Sequence, residues 1–403
     1  YGTKPVHGVN MGGWLLLEPF IKPSMFTRFA PEDKVVDEWT LCQKLGREAC
    51  RKELRQHYET FVTEADFRKI ADLGLDHVRI PVGYWAIEVQ EDEPYVQDSW
   101  EYLARGLDWA RKYGLRVMLE LHTAPGSQNG WNHSGREGTV GWMDGTPKGQ
   151  AHGERTIRIM RKLLEFVLQP RYSNVVTLFG VLNEPFAAKI GLDRVKKWTK
   201  DAYAAARSAT NNVKGAGPIL VVHEGFAGLS QWQGEMPAKQ YDRVVLDVHN
   251  YFIFDKYLVG LDQPGKLHFT CTTWQHDIRA SEEKFGPTMV GEFSIATDDC
   301  GLFLNGVGKG ARWDGTYPGS EPAHPGATCA GRADAKAWSP EYIAFLRQFS
   351  EKQMDSFEKG GGFGWFYWNF KTENGVNPQW DYFLGVEKGW LPQHPSNRTH
   401  HCD

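Results

Sequence analysis

Eight short apolar runs recur along the chain with helix-like segments between them, and no other feature restricts the fold as tightly. The runs lie at 6–12, 77–82, 115–121, 175–182, 218–223, 244–248, 288–291 and 364–368. Most are unbroken stretches of Val, Ile, Leu and Phe, the pattern of parallel strands covered on both faces. Helical spacing of apolar residues marks 64–73, 99–113, 153–168, 192–209, 274–285 and 340–359, whereas the crossover near 226–242 has poor helical periodicity. Alternating strands and helices build a parallel sheet, and eight such units predict closure as an α/β protein of the (β/α)8 barrel type.

No internal repeat, low-complexity tract or Pro/Ser-rich linker divides the 403 residues, so 1–403 reads as one domain with elaborated loops. Two loops are long: 22–63, with a helical segment of its own, and 295–337, rich in Gly and Pro. Both follow C-terminal strand ends, where long loops act as lids. A net charge of −4 without any Lys/Arg block argues against nucleic acid or an anionic membrane as the partner. No apolar stretch reaches the roughly 18 residues that span a bilayer. A basic-then-apolar N-terminal signal is also missing, which leaves a cytosolic or an already processed chain.

The six cysteines, Cys42, Cys50, Cys271, Cys300, Cys329 and Cys402, show no metal-binding spacing and point to disulfides in a secreted protein. Asn132 and Asn397 begin glycosylation triplets, in keeping with secretion. Sixteen Trp, within 13% aromatic residues, suit sugar faces or a large aromatic core.

Two carboxylates stand where strands run out into loops, the catalytic end of such a barrel: Glu184 in Leu-Asn-Glu-Pro and Glu292 in Gly-Glu-Phe-Ser. Cleavage of a glycosidic bond with retention needs one carboxylic acid and one attacking carboxylate about 5–5.5 Å apart. The pair must titrate differently: Arg79 could keep Glu292 ionised, and the Asn183 amide could hold a sugar 2-hydroxyl. On pattern alone, structural carboxylates or another barrel chemistry remain open.

Longer motifs narrow the choice. Gly-Val-Asn-Met-Gly-Gly-Trp-Leu-Leu-Leu-Glu-Pro-Phe (8–20), Val-Arg-Ile-Pro-Val-Gly-Tyr-Trp-Ala (78–86), Ala-Pro-Gly-Ser-Gln-Asn-Gly (124–130), Leu-Asn-Gly-Val (304–307) and Trp-Asn-Phe-Lys-Thr-Glu-Asn (368–374) occur in order with the two glutamate motifs. With them the chain resembles glycoside hydrolase family 5, and within it the fungal exo-β-1,3-glucanases. The resemblance implies Glu184 as acid/base and Glu292 as nucleophile, with Arg79, His122, Asn183, His249 and Tyr251 around them. It further implies Trp368 as the floor under the sugar, Glu18 at the far end of the terminal glucose, and Trp131 and Phe254 as a clamp on the leaving sugar. It pairs Cys271 with Cys402 and Cys300 with Cys329, leaving Cys42 with Cys50. The expected substrate is a β-glucan or β-glucoside, acted on by a monomer without cofactor or metal.

Two departures bear on specificity. The better-known yeast glucanases of this family carry Phe-Asp-Asn-Ser-Gly where this chain has Trp131, Asn132, His133, Ser134 and Gly135, so a sugar-gripping carboxylate is an amide here. Their His-His-His-Tyr is Val248, His249, Asn250 and Tyr251. These changes keep open a β-diglycosidase of the rutinosidase type, which removes a disaccharide from a flavonoid. A carbohydrate-binding barrel without catalysis would have lost one glutamate, and both are present.

Overall fold

The computed structural model describes residues 1–403. Its strands are β1 (Val6–Asn10), β2 (His77–Val82), β3 (Arg116–Leu121), β4 (Val176–Gly180), β5 (Ile219–His223), β6 (Val244–Asn250), β7 (Thr288–Phe293) and β8 (Gly364–Tyr367). Each pairs in parallel with the next, and β8 returns to β1, so the barrel is closed. Closure leaves no strand edge exposed. All residues of β2, β5, β7 and β8 are buried, as strands covered on both faces should be, with Arg79 of β2 and Glu292 of β7 as buried charges among them. Val6, Met118, Leu178, Ile219, Val221, Val245, Met289 and Phe366 form one apolar cluster contributed by seven of the strands.

The predicted crossover helices are present as Glu64–Asp72, Ser99–Lys112, Pro147–Val167, Leu192–Ser208, Gln275–Lys284 and Pro340–Lys359. The third starts earlier than its apolar spacing suggests. Thr146 accepts the Gly149 N–H as a cap and Pro147 occupies the first turn, where its missing N–H costs nothing. The weak crossover after β5 contains only one 3-10 turn, Leu229–Trp232. Here the Glu224 carboxylate ties the Phe226 and Gly228 N–H groups into a turn, and Gly225 and Gly228 adopt positive φ.

The strand ends need correction at the functional face. β6 and β7 each run two residues beyond the predicted limits, so His249 and Glu292 are paired neighbours inside the sheet rather than loop residues. Sheet pairing therefore fixes their backbones. Glu184, in contrast, lies four residues past β4 with φ of 45°.

The six cysteines form Cys42–Cys50, Cys271–Cys402 and Cys300–Cys329. The first staples the two helices of the loop after β1, Glu38–Leu45 and Arg47–Phe61. The second ties the tail to the barrel, aided by Arg398 on Glu358. The third lies in the loop after β7, where Asp299 also accepts the Arg312 and Trp313 N–H groups. No helix is long and apolar enough to cross a membrane.

Candidate active site

Charged residues inside the upper barrel need room, and glycines on neighbouring strands provide it. A Cβ on Gly180 would lie 2.6 Å from Glu120 Cγ, and one on Gly291 would lie 2.4 Å from the Asp247 carboxylate. Glu120 and Asp247 thus occupy spaces opened by glycines on β4 and β7.

Arg79, fully buried on β2, is the hub. One arm of its guanidinium, Nη1, donates to Asn10 Oδ1 and Glu292 Oε1, each at 2.7 Å. The other, Nη2, donates to Glu120 Oε1 at 2.7 Å and Asn183 Oδ1 at 2.8 Å. Because Asn183 accepts through Oδ1, its Nδ2 is turned toward His122 Nε2, 3.3 Å away, at the cavity. His122 in turn holds Glu120 through Nδ1 at 2.9 Å. Tyr251 donates to Glu292 Oε2 at 2.9 Å, so both oxygens of that carboxylate are aimed by fixed donors.

His249 decides how the two glutamates relate. Its Nδ1 lies 2.6 Å from Glu184 Oε1 and 3.5 Å from Glu292 Oε2. Sharing one nitrogen keeps those two oxygens within about 6 Å of each other, compatible with the roughly 5–5.5 Å spacing of retaining glycosidases. The second oxygen of Glu184 meets His133 Nε2 at 3.0 Å.

Burial pushes each of these carboxyls up and each histidine down; the contacts then decide the outcome. His133 and His249 outweigh burial at Glu184 and hold it well below its ordinary value. The carboxylates around His249, Glu292 and Asp247 foremost, hold it well above. Glu292 stays raised, because burial with Glu184 and Glu120 nearby exceeds the pull of His249 and Arg79. Arg79 therefore contacts Glu292 as expected and favours its ionised form, with His249 the larger of the two pulls. Burial raises Glu18 to about 8 and lowers His122 to about 4.

A cavity of about 320 Å³ opens above this network. Glu18, His122, Asn132 and Asn183 line it with both glutamates, and Arg79 and His249 are buried against them. Trp368 lies almost fully buried in the wall, its ring stacked on His122 at 5.7 Å. Trp131, Phe254 and Phe226 line the same cavity and are partly exposed, with the Tyr251 and Phe254 rings in edge contact at 5.5 Å. Lys309 of the β7 loop meets Glu137 of the β3 loop at 2.7 Å in the cavity wall.

Sequence reasoning passed over Asn10, Glu120, His133, His223, Phe226 and Asp247. Glu120 and Asp247 carried a signal, since each is a charged residue inside an apolar strand run, which burial tolerates only with partners. Glu184, His223 and His249 approach one another closely enough to suggest an ion site. His223 Nδ1, however, accepts the Gly225 N–H, which leaves the proton on Nε2 and no free lone pair.

The family model for Cellulase (glycosyl hydrolase family 5) matches residues 44–299, well over half of the sequence and spanning β2 to β7. The chain belongs to glycosyl hydrolase family 5. It is 41% identical to a probable glucan 1,3-beta-glucosidase D of Neosartorya fischeri over 97% of its own length and 47% of that protein's. It is likewise 41% identical to the glucan 1,3-beta-glucosidase D of Emericella nidulans, over 100% of its own length and 48% of the relative's. The chain thus spans about half the length of these relatives. Among solved structures, the fold is shared with a rutinosidase from Aspergillus niger, with TM-score 0.71, 20% identity and coverage of 97% and 98% of the two chains.

Proposed function

We propose that this chain is a retaining, exo-acting β-glucosidase that releases glucose from the non-reducing ends of β-1,3-glucan. The observation that carries the reading is the pair of carboxylates gathered on one imidazole nitrogen, one of them held by Arg79 and Tyr251. Glu292 attacks the anomeric carbon and forms a glycosyl ester; Glu184 gives a proton to the departing oxygen and then takes one from the water that opens the ester. The Asn183 Nδ2 group donates to the 2-hydroxyl, where contacts strengthen as charge develops at the ring. Trp368 supports the apolar face of the sugar.

Exo action is supported by two features of the cavity wall. Glu18 is buried in it, and the Glu137–Lys309 pair joins two loops there. Glu18, neutral below about pH 8, can both donate to and accept from sugar hydroxyls. The names of the relatives favour β-1,3-glucan as the substrate. Three disulfides and the exposed Asn397 triplet favour a secreted protein.

Laminarin and rutin serve as competing substrates in the deciding assay. Glucose from laminarin is the expected product; rutinose from rutin without glucose from laminarin transfers the assignment to the diglycosidase. Hydrolysis of neither, nor of an aryl β-glucoside, leaves a binding protein.

A further inference from the structure

His133 touches Glu184 and yet has no part in the proposed reaction. It sits in the 3-10 turn Asn132–Ser134 after β3, with a quarter of its side chain open to the cavity. Its Nε2 faces two groups at once: Glu184 Oε2 at 3.0 Å and Asn129 Nδ2 at 3.1 Å. The Asn129 amide cannot be turned over, because its Oδ1 accepts the Trp131 N–H at 3.0 Å. Asn129 therefore presents a donor to Nε2. A proton on Nε2 is welcomed by Glu184 and opposed by Asn129; a proton on Glu184 leaves an Nε2 lone pair that both neighbours can fill. The two placements are balanced by different partners, as a shared proton requires.

We propose that His133 and Glu184 hold the acid/base proton jointly, and that the glycosidic oxygen of the substrate displaces His133 from Glu184 Oε2 as that proton is delivered. This rests on the acid/base role given to Glu184. In the free protein the proton can lie on His133 Nε2 with Glu184 ionised. When sugar enters, the proton passes to Glu184 Oε2 and Asn129 satisfies the vacated nitrogen. Glu292 then forms the bond to the anomeric carbon, the carbon–oxygen bond breaks, and the leaving oxygen keeps the electron pair and takes the Glu184 proton. Water attacking the ester returns a proton to Glu184, and the pair is restored.

Other charged groups face His133 from several strands. Glu184 foremost favours its protonated form, joined by Glu292 on β7 and, only where it is ionised above about pH 8, by Glu18 after β1. The His122 ring, 5.7 Å away after β3, is neutral through burial. Arg79 on β2 is neutralised by Glu120 and Glu292, His249 on β6 occupies the other Glu184 oxygen, and Lys309 is engaged by Glu137. Burial, which lowers the His133 pKa, is thus outweighed by Glu184, and the pKa lies above the ordinary histidine value. A joint proton is lost only at the upper titration of the pair, so activity persists to higher pH than a lone carboxylic acid would allow.

The test is the pH profile of kcat/KM on laminarin oligosaccharides for the unmodified protein, His133→Asn and His133→Gln. Sharing predicts that both variants lower the alkaline limb by about one pH unit or more while the acid limb stays in place. Aryl β-glucosides with acidic phenols, which need no proton to leave, should show a much smaller loss. A uniform drop with unmoved limbs, or an alkaline limb that rises, overturns the proposal. Should neither His133 variant fold, histidine NMR of Glu184→Gln decides: His133 must titrate lower than in the unmodified protein, and an unchanged titration refutes sharing. The role of Glu184 is judged separately by Glu184→Ala, which must lose oligosaccharide hydrolysis and regain turnover of activated aryl glucosides with added azide. Failure there removes the reading of Glu184 itself, whereas its success beside unmoved limbs removes only the role of His133.

Discussion

Arg79 Nη1 donates to Glu292 Oε1 at 2.7 Å from a guanidinium with no solvent exposure, whose remaining contacts hold Asn10, Glu120 and Asn183. One cation thereby sets the position of the carboxylate proposed to attack and the orientation of the amide proposed to hold the sugar. Replacing it by Met leaves Glu120 and Glu292 buried without their cation, which costs about 3–5 kcal/mol in stability. Thermal or urea denaturation of Arg79→Met should show that loss together with collapse of kcat, and unchanged stability would remove Arg79 as the hub.

Glu292→Gln preserves volume and the Tyr251 and Arg79 neighbours but cannot attack carbon. Its kcat on an aryl β-glucoside should fall by about 10⁴-fold or more, with the fold intact by circular dichroism. Mass spectrometry of the quenched unmodified protein should find one glycosyl group on a peptide containing Glu292. A glycosyl group on another residue reassigns the nucleophile.

Glu18 links pH to stability with a definite sign. Burial raises its carboxyl to about 8, against an ordinary value of 4.5, so the folded state holds a proton that the unfolded chain releases. That contribution is present below about pH 4.5, declines as pH rises, and is exhausted above about pH 8. Glu18→Gln lacks this decline, so its stability relative to the unmodified protein should grow across that window in denaturant titrations, while KM for glucosides increases. A stability difference that does not vary with pH places the Glu18 charge outside the folding equilibrium.

Asn132 and Asn397 both head glycosylation triplets but differ in access. Asn132 is 9% exposed in the cavity wall, whereas Asn397 is exposed on the tail. Peptide mapping of protein expressed through a secretory pathway should find sugar at Asn397 and none at Asn132.

The tail also tests the Cys271–Cys402 link, which closes a span of 131 residues. Replacing both cysteines by Ser should cost about 2–5 kcal/mol, since a long loop is freed in the unfolded chain. Calorimetry reads the effect, and a shift near zero would assign the hold on the tail to its ion pairs, such as Arg398 with Glu358.

Sequence and structure agree most closely where period carries the information. Short, mostly apolar runs located all eight strands, because a strand covered on both faces admits few polar residues. The crossover after β5 resisted assignment because it contains no helix of length, only turns tied by Glu224. Glu184 and Glu292 were legible as carboxylates after apolar runs, yet the extension of β7 through Phe293 was not. The polar ends of β6 and β7 look like loop until pairing of His249 with Glu292 satisfies their backbones.

The order of residues alone determined the barrel, the two carboxylates at its mouth and the aromatic character of the pocket, since periodicity and local motifs are properties of neighbours along the chain. Tertiary structure decided which partners those carboxylates meet: Arg79 from β2, His249 from β6, and His133 with Asn129 from the β3 loop. Charge states in a buried cluster depend on distances of a few ångströms between residues up to 213 positions apart, and no one-dimensional pattern contains those distances.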